Sequence, residues 1–434
     1  MNTKIARRDL LGRAASVAAG AAVGSFGMFS TRAVAQEPVK ITLWGWWDVR
    51  MKLYADAAVG FMEQNPDVVV EVVTLPGGQD MLTRLYSALP AGNGPTMLKM
   101  GEFIFQLRDE DLLVPFPENL LPDNWLRTTY PNFDWETYGR YVVPTGTSAS
   151  VLVYNKAMFA EAGLDPNTPP RSWDELIAAA KALTQTDGNG AIARAGFVPN
   201  EEFRPLDYLY QLGGNIVSRE SGQPVVTFDT PEMRQAYQFL ADLELEHKVW
   251  SHDFLLVGQA IGSGAAAMTI CESWLIGEWR DNFPDILGDL GFAAPPTPTG
   301  DRDPSYGRKS LVLDISVMNG RPVEEQEAAF RFLEYFYKER LDIQFQLIDL
   351  VALAAERLDL LEDPRIQDAP WLGVMPEFAA HQHDPVQLTG DLDMVMNDVL
   401  TLILVSGQSV PDAVRYGQEQ VQALFDGGTL NYLK

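Results

Sequence analysis

After residue 36 the hydrophobic pattern alternates between short β-rich runs and stretches with helical spacing. Val39 to Trp44, Val68 to Leu75 and Met97 to Met100 are rich in β-branched or apolar residues, and each predicts a strand. Between them, apolar residues at helical spacing predict two helices, the first of which stops at Asn65-Pro66. This order of strands and helices predicts a parallel sheet covered by helices.

The middle and the end of the chain are more helical. Ser172-Trp173-Asp174-Glu175 has the pattern of a capping box, in which Ser172 accepts from the Glu175 amide while Glu175 reaches back. Thr230-Pro231 predicts another helix start. Apolar spacing predicts long helices from about Phe330 to Leu341, from Asp391 to Val405 and from Asp412 to Phe425. The predicted fold class is α/β, and two lobes are the natural division of 434 residues.

The first 35 residues have the features of an export signal. Arg7-Arg8 precedes a weakly hydrophobic run from Ala14 to Ser30, and Ala33-Val34-Ala35 is a small-residue pattern that signal peptidases accept. The segment resembles a twin-arginine (Tat) signal, so we expect a mature chain that begins at Gln36 and resides in the periplasm. A membrane anchor is the alternative, but the run is shorter than a bilayer span and rich in Gly and Ala.

Charge and composition argue against several classes of function for this protein. The formal net charge is −26, and so acidic a surface repels phosphate backbones, which argues against nucleic-acid binding. The single cysteine, Cys271, excludes an intrachain disulfide and is expected to be buried. His381 and His383 lack a third ligand at standard spacing, so we expect neither a metal nor a cofactor. No nucleophile elbow or phosphate-binding loop is present, although counting carboxylates leaves a glycosidase pair open.

Four landmarks in the mature chain occur in the order typical of one family. The chain resembles family 1 extracellular solute-binding proteins, the class that contains the maltodextrin-binding receptors of ABC importers. The landmarks are Ile41 to Trp44 followed by a helix ending in Phe61-Met62-Glu63-Gln64-Asn65-Pro66, Tyr154-Asn155-Lys156 with Pro169 to Leu176, Gly213-Gly214, and Gly264 to Ile270 before Trp274.

The resemblance implies a type II periplasmic binding protein, with two α/β lobes and a ligand cleft between them. It further implies a monomer that binds a mono- or oligosaccharide, delivers it to ABC permease subunits in the inner membrane, and is not an enzyme. We place the crossings between lobes near Pro144, Pro295 and Tyr337. The predicted domains are the leader 1–35, a first lobe of 36–144 with 296–337, and a second lobe of 145–295 with 338–434.

Candidate ligand residues of the first lobe follow predicted strands, where open α/β sheets bind their ligands. A sugar presents weakly polar faces and a rim of hydroxyl groups, which suit aromatic planes and carboxylates respectively. Trp46 and Trp47 follow the first strand, where successive side chains should point to opposite faces, so Trp46 or Trp47 should face the cleft, with a core role as the alternative. The polar candidates are Asp48, Gln79, Asp80 and Glu102; for Asp48, Gln79 and Asp80 a helix-capping role is an equal alternative.

Candidates of the second lobe come mainly from the resemblance. Trp274 occupies the position of the family's stacking tryptophan, and Glu272 and Ser273 stand where maltodextrin-type members have Gly and Pro, which argues against maltodextrin itself. Phe203 falls at another stacking position, with an ordinary core role as the alternative. The remaining candidates are Ser148 at the first crossing, Trp371 as a wall of the cleft, and Arg308, which could donate to a hydroxyl, bind a phosphate or carboxylate, or lie in a solvated loop.

Three other functions stay open from the sequence. The same fold could bind a polyol, a sugar phosphate through Arg308, or an amine through Glu102 and Glu272. An exported carbohydrate-active enzyme would be a different class of protein. A ligand-sensing partner of a membrane receptor would use the same fold as a transport protein.

Overall fold

The structure is a computed structural model, and it describes residues 37–200, 204–218, 222–301, 307–368, 371, 382 and 390–428. The predicted leader and Phe203 lie outside the described residues. The side chains of Gln79 and Glu102 lie outside them as well, although their backbone belongs to helices.

The described strands are named β1 to β14 in chain order. They are β1 (Val39–Gly45), β2 (Val68–Thr74), β3 (Met97–Lys99), β4 (Leu113–Val114), β5 (Pro144–Asn155), β6 (Gln185–Thr186), β7 (Ile192–Arg194), β8 (Val198–Pro199), β9 (Val217–Ser218), β10 (Val225–Val226), β11 (Met268–Glu272), β12 (Leu290–Ala293), β13 (Lys309–Leu313) and β14 (Ile315–Met318).

The described α-helices are named α1 to α17 in the same way. They are α1 (Asp48–Gln64), α2 (Gly78–Ala88), α3 (Ile104–Asp109), α4 (Asp123–Thr129), α5 (Trp135–Tyr138), α6 (Lys156–Glu161), α7 (Trp173–Leu183), α8 (Arg204–Gln211), α9 (Pro231–Leu245), α10 (Val257–Gly262), α11 (Trp274–Asn282), α12 (Val323–Glu339), α13 (Leu341–Val351), α14 (Leu358–Leu361), α15 (Pro364–Asp368), α16 (Gly390–Leu404) and α17 (Val410–Asp426). Short 3-10 helices lie at Leu89–Ala91, Gly101–Phe103 and Pro284–Asp289.

Two sheets organise the described chain. The first has the strand order β2-β1-β3-β14-β4, in which β1 pairs in parallel with β2 and β3, as the alternation of strands and helices predicted. The late strand β14 runs antiparallel to β3 and β4. In the second sheet the long strand β5 pairs antiparallel with β11, β12 and β13, and β8 joins β11 in parallel. Both sheets are therefore assembled from segments distant in sequence.

Each sheet contributes to its own hydrophobic core. The first core draws on residues 41 to 143 and again on 313 to 347, and it packs α1 and α12 against the first sheet. The second core draws on residues 149 to 290, on Ala352 and Ala354, and on 392 to 421. Both cores are discontinuous in the chain, so several segments must pass between them.

Among the residues that the structure describes, three segments connect the two cores. β5 begins beside Val143, which belongs to the first core, and its later residues Ala149 and Val151 belong to the second. β13 lies antiparallel beside β5 and ends at Leu313 in the first core. Farther along, the main chains of Thr147 and Ala354 exchange two hydrogen bonds of 2.8 Å. These neighbouring segments form a narrow connection in which side chains near β5 can belong to either core.

Helix boundaries agree with most of the predicted signals. Ser172 accepts from the Glu175 amide at 3.2 Å, while the Glu175 carboxylate reaches back to the amide of Arg171 at 2.7 Å. Thr230 caps α9 by accepting from the Met233 amide. The helix predicted to run to Leu341 was wrong at its end, because the backbone leaves the helical region at Arg340 and Leu341 begins α13.

Candidate functional site

Trp46 and Trp47 follow β1 and form a stacked pair. Their ring centroids are 6.2 Å apart with an interplanar angle of 17°, and both side chains are half-buried. In an extended strand they would point to opposite faces. Trp47 instead adopts φ 73°, a left-handed conformation that costs a bulky residue about 1–3 kcal/mol. This turn places the two rings side by side, an arrangement that the strand alternation did not predict.

Arg50 lies against both rings from the first turn of α1. Its guanidinium carbon is 5.3 Å from the Trp46 ring centroid and 4.9 Å from that of Trp47, and the residue is 5% exposed. A guanidinium within about 6 Å of an indole ring is attracted by the ring quadrupole. Gly77 makes room for the pair, because a Cβ there would lie 3.0 Å from the Trp46 ring. The two tryptophans are therefore held from several sides.

The polar candidates of the first sheet occupy helix starts. Asp48 is the exposed first residue of α1, whose preceding residue Trp47 provides no side-chain cap. Gln79 and Asp80 lie in the first turn of α2, where Asp80 is exposed and Gly77 is the capping position. Both aspartates lie near positive helix ends, which favour carboxylates. Neither Asp48 nor Asp80 caps its helix with a side-chain hydrogen bond, which was the alternative role predicted for both. Glu102 lies in the 3-10 helix after β3.

Trp274 begins α11, directly after the end of β11. Glu272 is the last residue of β11, and Ser273 lies between them with its backbone amide donating to the Ala149 carbonyl at 3.0 Å. Trp274 is half-buried, whereas Glu272 is 7% exposed. The Ser273 hydroxyl lies 3.3 Å from that of Ser148, which is buried in β5. Thus the predicted second-lobe residues Ser148, Glu272 and Trp274 lie together at one strand end.

Arg308 is buried in an ion cluster rather than exposed in a solvated loop. It is 2% exposed, pairs with Glu272 through Nη1, and has Nε 3.8 Å from Oδ2 of Asp207. The amide of Arg308 also donates to Asp207 at 3.0 Å, and so does the Ser150 hydroxyl at 2.5 Å. At Gly307, with φ 150°, a Cβ would lie 2.6 Å from Asp207. The cluster brings two predicted site residues, Glu272 and Arg308, into direct contact.

Gln382 is attached to the same strand. Its amide oxygen accepts from the Ser150 amide at 2.7 Å, and its amide nitrogen donates to the Ser150 carbonyl at 2.6 Å. The side chain thus pairs with the main chain of β5 as a neighbouring strand would.

Three of the predicted tryptophans pack on one small group of residues between the two cores. We call this group the junction cluster. Trp47 reaches it from the first sheet, Trp274 from the second, and Trp371 from the chain after α15. Trp371 also lies edge-on to Phe292, with centroids 6.3 Å apart. The buried members of the junction cluster are Ile348, Leu350, Val351, Leu353, Ala355, Leu360 and Ile366.

Two indole N–H groups at this site have no protein acceptor among the described residues. They are Nε1 of Trp46 and Nε1 of Trp371, both buried as atoms although their side chains are half-buried. A buried donor without an acceptor costs about 1–3 kcal/mol, so such groups favour a partner that brings an oxygen atom. By contrast, the buried Nε1 of Trp279 in the second core donates to the Gly258 carbonyl at 2.8 Å.

Several contacts at this site were missed by the sequence reasoning. Asp207 and Gln382 come from segments far from β5, and no local pattern links them to it. Arg50 carried a usable signal, since it follows Trp46 and Trp47 by four and three residues at a predicted helix start. Within the described part of the chain, no group of three or more His, Cys, Asp or Glu side chains could hold a metal. None of the helices described there is long and apolar enough to cross a bilayer.

Residues 49–340 match the family described as bacterial extracellular solute-binding protein. This match covers more than half of the chain, and the protein therefore belongs to that family, as the four landmarks predicted. One curated relative is the arabinooligosaccharide-binding protein of Halalkalibacterium halodurans, 28% identical over 58% of this chain and 57% of the relative. Another is the sn-glycerol-3-phosphate-binding periplasmic protein UgpB of Yersinia pestis, 24% identical over 65% and 66% respectively. The chain thus spans less than two thirds of the length of either relative.

Solved structures share the whole architecture. A solute-binding protein of an ABC transporter from Thermotoga lettingae, bound with alpha-D-tagatose, has a TM-score of 0.72 at 22% identity, covering 91% of this chain and all of that one. The GacH receptor of Streptomyces glaucescens, described in complex with acarbose, has a TM-score of 0.73 at 20% identity, covering 90% and 99%. These likenesses confirm the predicted α/β fold of a two-lobed periplasmic binding protein.

Proposed function

We propose that this protein is the solute-binding component of an ABC importer and that it binds a mono- or oligosaccharide between its two lobes. The observation that carries the proposal is the packing of Trp47, Trp274 and Trp371 on the junction cluster, because Trp47 comes from the first sheet and Trp274 from the second. Sugar rings present C–H faces to such planes, and a carbohydrate would supply oxygen atoms to the indole N–H groups of Trp46 and Trp371. The curated relative named for arabinooligosaccharides supports the same ligand class.

An uncharged saccharide is a better candidate than a sugar phosphate, although one relative is named for glycerol-3-phosphate. Arg308 is the cation that the sequence offers for a phosphate in the second lobe, and it already faces the carboxylates of Glu272 and Asp207. Two buried carboxylates beside one guanidinium leave a net negative charge, which opposes an anion. The two groups proposed to contact ligand hydroxyls in this lobe, Glu272 and Arg308, would then act mainly by holding β11 and β13 together.

The lobes that close on the ligand follow the two cores. We place the crossings within β5, within β13 and at residues 348–355. The predicted second crossing near Pro295 falls earlier than this, since the Thr297 carbonyl still accepts from the Trp173 amide of the second core at 2.9 Å. A ligand that binds the closed arrangement better than the open one would shift the protein toward closure.

The remaining parts of the proposal concern the surroundings of the protein. The leader up to Ala35 would direct it to the periplasm, where it would act as a monomer, without a metal or cofactor, and deliver its ligand to membrane permease subunits. It would perform no chemistry on the saccharide.

A thermal-shift panel on the purified full-length mature protein tests the function. The panel contains arabino-, malto- and manno-oligosaccharides, tagatose, polyols, amines and glycerol-3-phosphate. A bound ligand raises the melting temperature in proportion to the logarithm of its concentration above Kd. We expect one uncharged saccharide class to raise it and glycerol-3-phosphate to leave it unchanged. Stabilisation by the phosphate alone, or release of smaller sugars on incubation, would contradict the proposal.

A further inference from the structure

Arg50 is a buried cation that no ligand role requires. It belongs to the first turn of α1, is 5% exposed, and faces the rings of both Trp46 and Trp47. A charge in such a place must be compensated by nearby groups or it destabilises the fold. The side chains around Arg50 therefore indicate how its position is fixed.

Asp314 is a buried carboxyl that is linked to the same helix, and it lies 3% exposed between β13 and β14. Burial raises the pKa of the Asp314 carboxyl, while the charges of Lys99 and Arg50 and a hydrogen bond from Tyr54 act to lower it. The Tyr54 hydroxyl donates to Oδ1 of Asp314 at 2.6 Å, and Tyr54 is four residues from Arg50 on α1. The carboxylate is thus linked to α1 by a hydrogen bond and by charge.

Asp314 also lies where the chain enters the first sheet. Its amide donates to the Val143 carbonyl at 2.8 Å, and the ladder between β13 and β5 shifts register just before it, between Val312 and Leu313. The backbone of Asp314 therefore lies against two of the segments that connect the cores.

We propose that Arg50 is a positioning residue that holds the Trp46–Trp47 pair as one stacking surface for the ligand, and that Asp314 holds the helix that carries Arg50 through its hydrogen bond with Tyr54. The proposal rests on the proposed function for the ligand, but the arrangement of the rings does not. The left-handed conformation of Trp47 gives the reason for such a device. Without the guanidinium beside both rings, Trp47 gains by relaxing to an ordinary conformation, and the two rings no longer face the ligand together.

The experiment compares Arg50→Met, Arg50→Lys and a matched control in the full-length protein. Methionine keeps an apolar stem without the charge, while lysine restores a cation that can still interact with the rings. Arg127→Met is the control, since the Arg127 guanidinium lies 6.0 Å from the Trp135 ring on an exposed helix away from the pair. Near-UV circular dichroism reports the packing of the indoles, and titration calorimetry with the saccharide found in the panel reports affinity.

We expect Arg50→Met to change the near-UV spectrum and to weaken ligand binding by about tenfold, with Arg50→Lys intermediate and Arg127→Met like the wild type. Asp314→Asn should change the near-UV spectrum in the same direction. This variant replaces Arg50→Met in the experiment if Arg50→Met does not fold. An unchanged spectrum in Arg50→Met, or equal losses of affinity in the Met and Lys variants, overturns the proposal. If the wild type binds nothing in the panel, the function proposal fails while the spectra still decide the role of Arg50.

Discussion

The two strand ends that present tryptophans are stabilised in opposite ways. At the end of β1, a single guanidinium lies against two aromatic rings, and the buried carboxyl of Asp314 is bound to Tyr54 of the same helix. At the end of β11, the charges are concentrated in one contact group, Glu272, Arg308 and Asp207, and Trp274 stands beside it. At the end of β1, the orientation of the two rings therefore depends on one side chain, Arg50. At the end of β11, the ion cluster fixes the strands themselves, so the position of Trp274 does not depend on a cation beside its ring.

This comparison predicts its largest effect at Arg308. Replacing it by methionine leaves Glu272 and Asp207 buried without their cation, so the free energy of unfolding should fall by about 3–5 kcal/mol. Urea denaturation measures the change. The control is Arg415→Met, which breaks an exposed pair with Asp412 and should change stability by less than about 1 kcal/mol. Equal effects of the two variants would show that the buried cluster does not fix the strands.

The next effect concerns Trp274. Its replacement by alanine should weaken saccharide binding by more than about 1 kcal/mol, roughly fivefold in Kd, because a stacking face is lost while the ion cluster keeps β11 in place. Titration calorimetry measures the affinity. Trp125→Ala is the matched control, a half-buried tryptophan of the first core outside the site. Wild-type affinity in Trp274→Ala would remove Trp274 from the ligand site.

A smaller effect is expected from removing single indole N–H groups. It distinguishes an N–H that stabilises the fold from one that donates to the ligand. Trp46→Phe keeps an aromatic ring but removes an N–H donor that has no acceptor among the described residues. Because no hydrogen bond within the protein is lost, the free energy of unfolding should stay the same. Only the affinity for the saccharide should fall. Trp279→Phe removes a donor that the Gly258 carbonyl uses, and should cost about 0.5–1.5 kcal/mol of stability. If Trp46→Phe leaves ligand affinity intact, its N–H does not contact the ligand.

The smallest effect is a dependence of stability on pH at Asp314. Burial raises its pKa in the folded state, so the folded protein binds this proton at a higher pH than the unfolded chain does. The contribution of this group to stability therefore increases as pH falls through the folded pKa toward the unfolded value of about 3.9. As pH falls between these two pKa values, the free energy of unfolding of the wild type should increase relative to that of Asp314→Asn. A constant difference in denaturation measurements would argue against the raised pKa.

Local signals predicted the local structure well. The capping side chain of Ser172 and the parallel pairing of β1 with β2 and β3 follow from patterns that span a few residues or one strand–helix unit. The family and the fold class were predicted for the same reason, because four such patterns occur in a known order. The end of α12 was misplaced because apolar spacing continued across Arg340 into the next helix.

The sequence named candidate residues one by one, but it could not show how they meet. The sequence pointed to Trp47, Trp274 and Trp371, but it could not show that they pack on one cluster, since their neighbours depend on how distant segments meet. Arg308 and Glu272 were both candidates, yet their ion pair joins positions on different strands that no spacing connects. The positive φ of Trp47 was missed because nothing in a run of tryptophans indicates a left-handed turn.

The discontinuous cores have a consequence for the order in which the chain can fold. β14 must pair with β3 and β4, and the first core also needs residues up to Leu347. The second core needs residues up to Val421. A chain growing from its N-terminus therefore completes neither core until most of it has been synthesised, and these long-range pairings make folding slow. Premature termination anywhere before Leu347 should yield an aggregation-prone fragment in which neither core is complete.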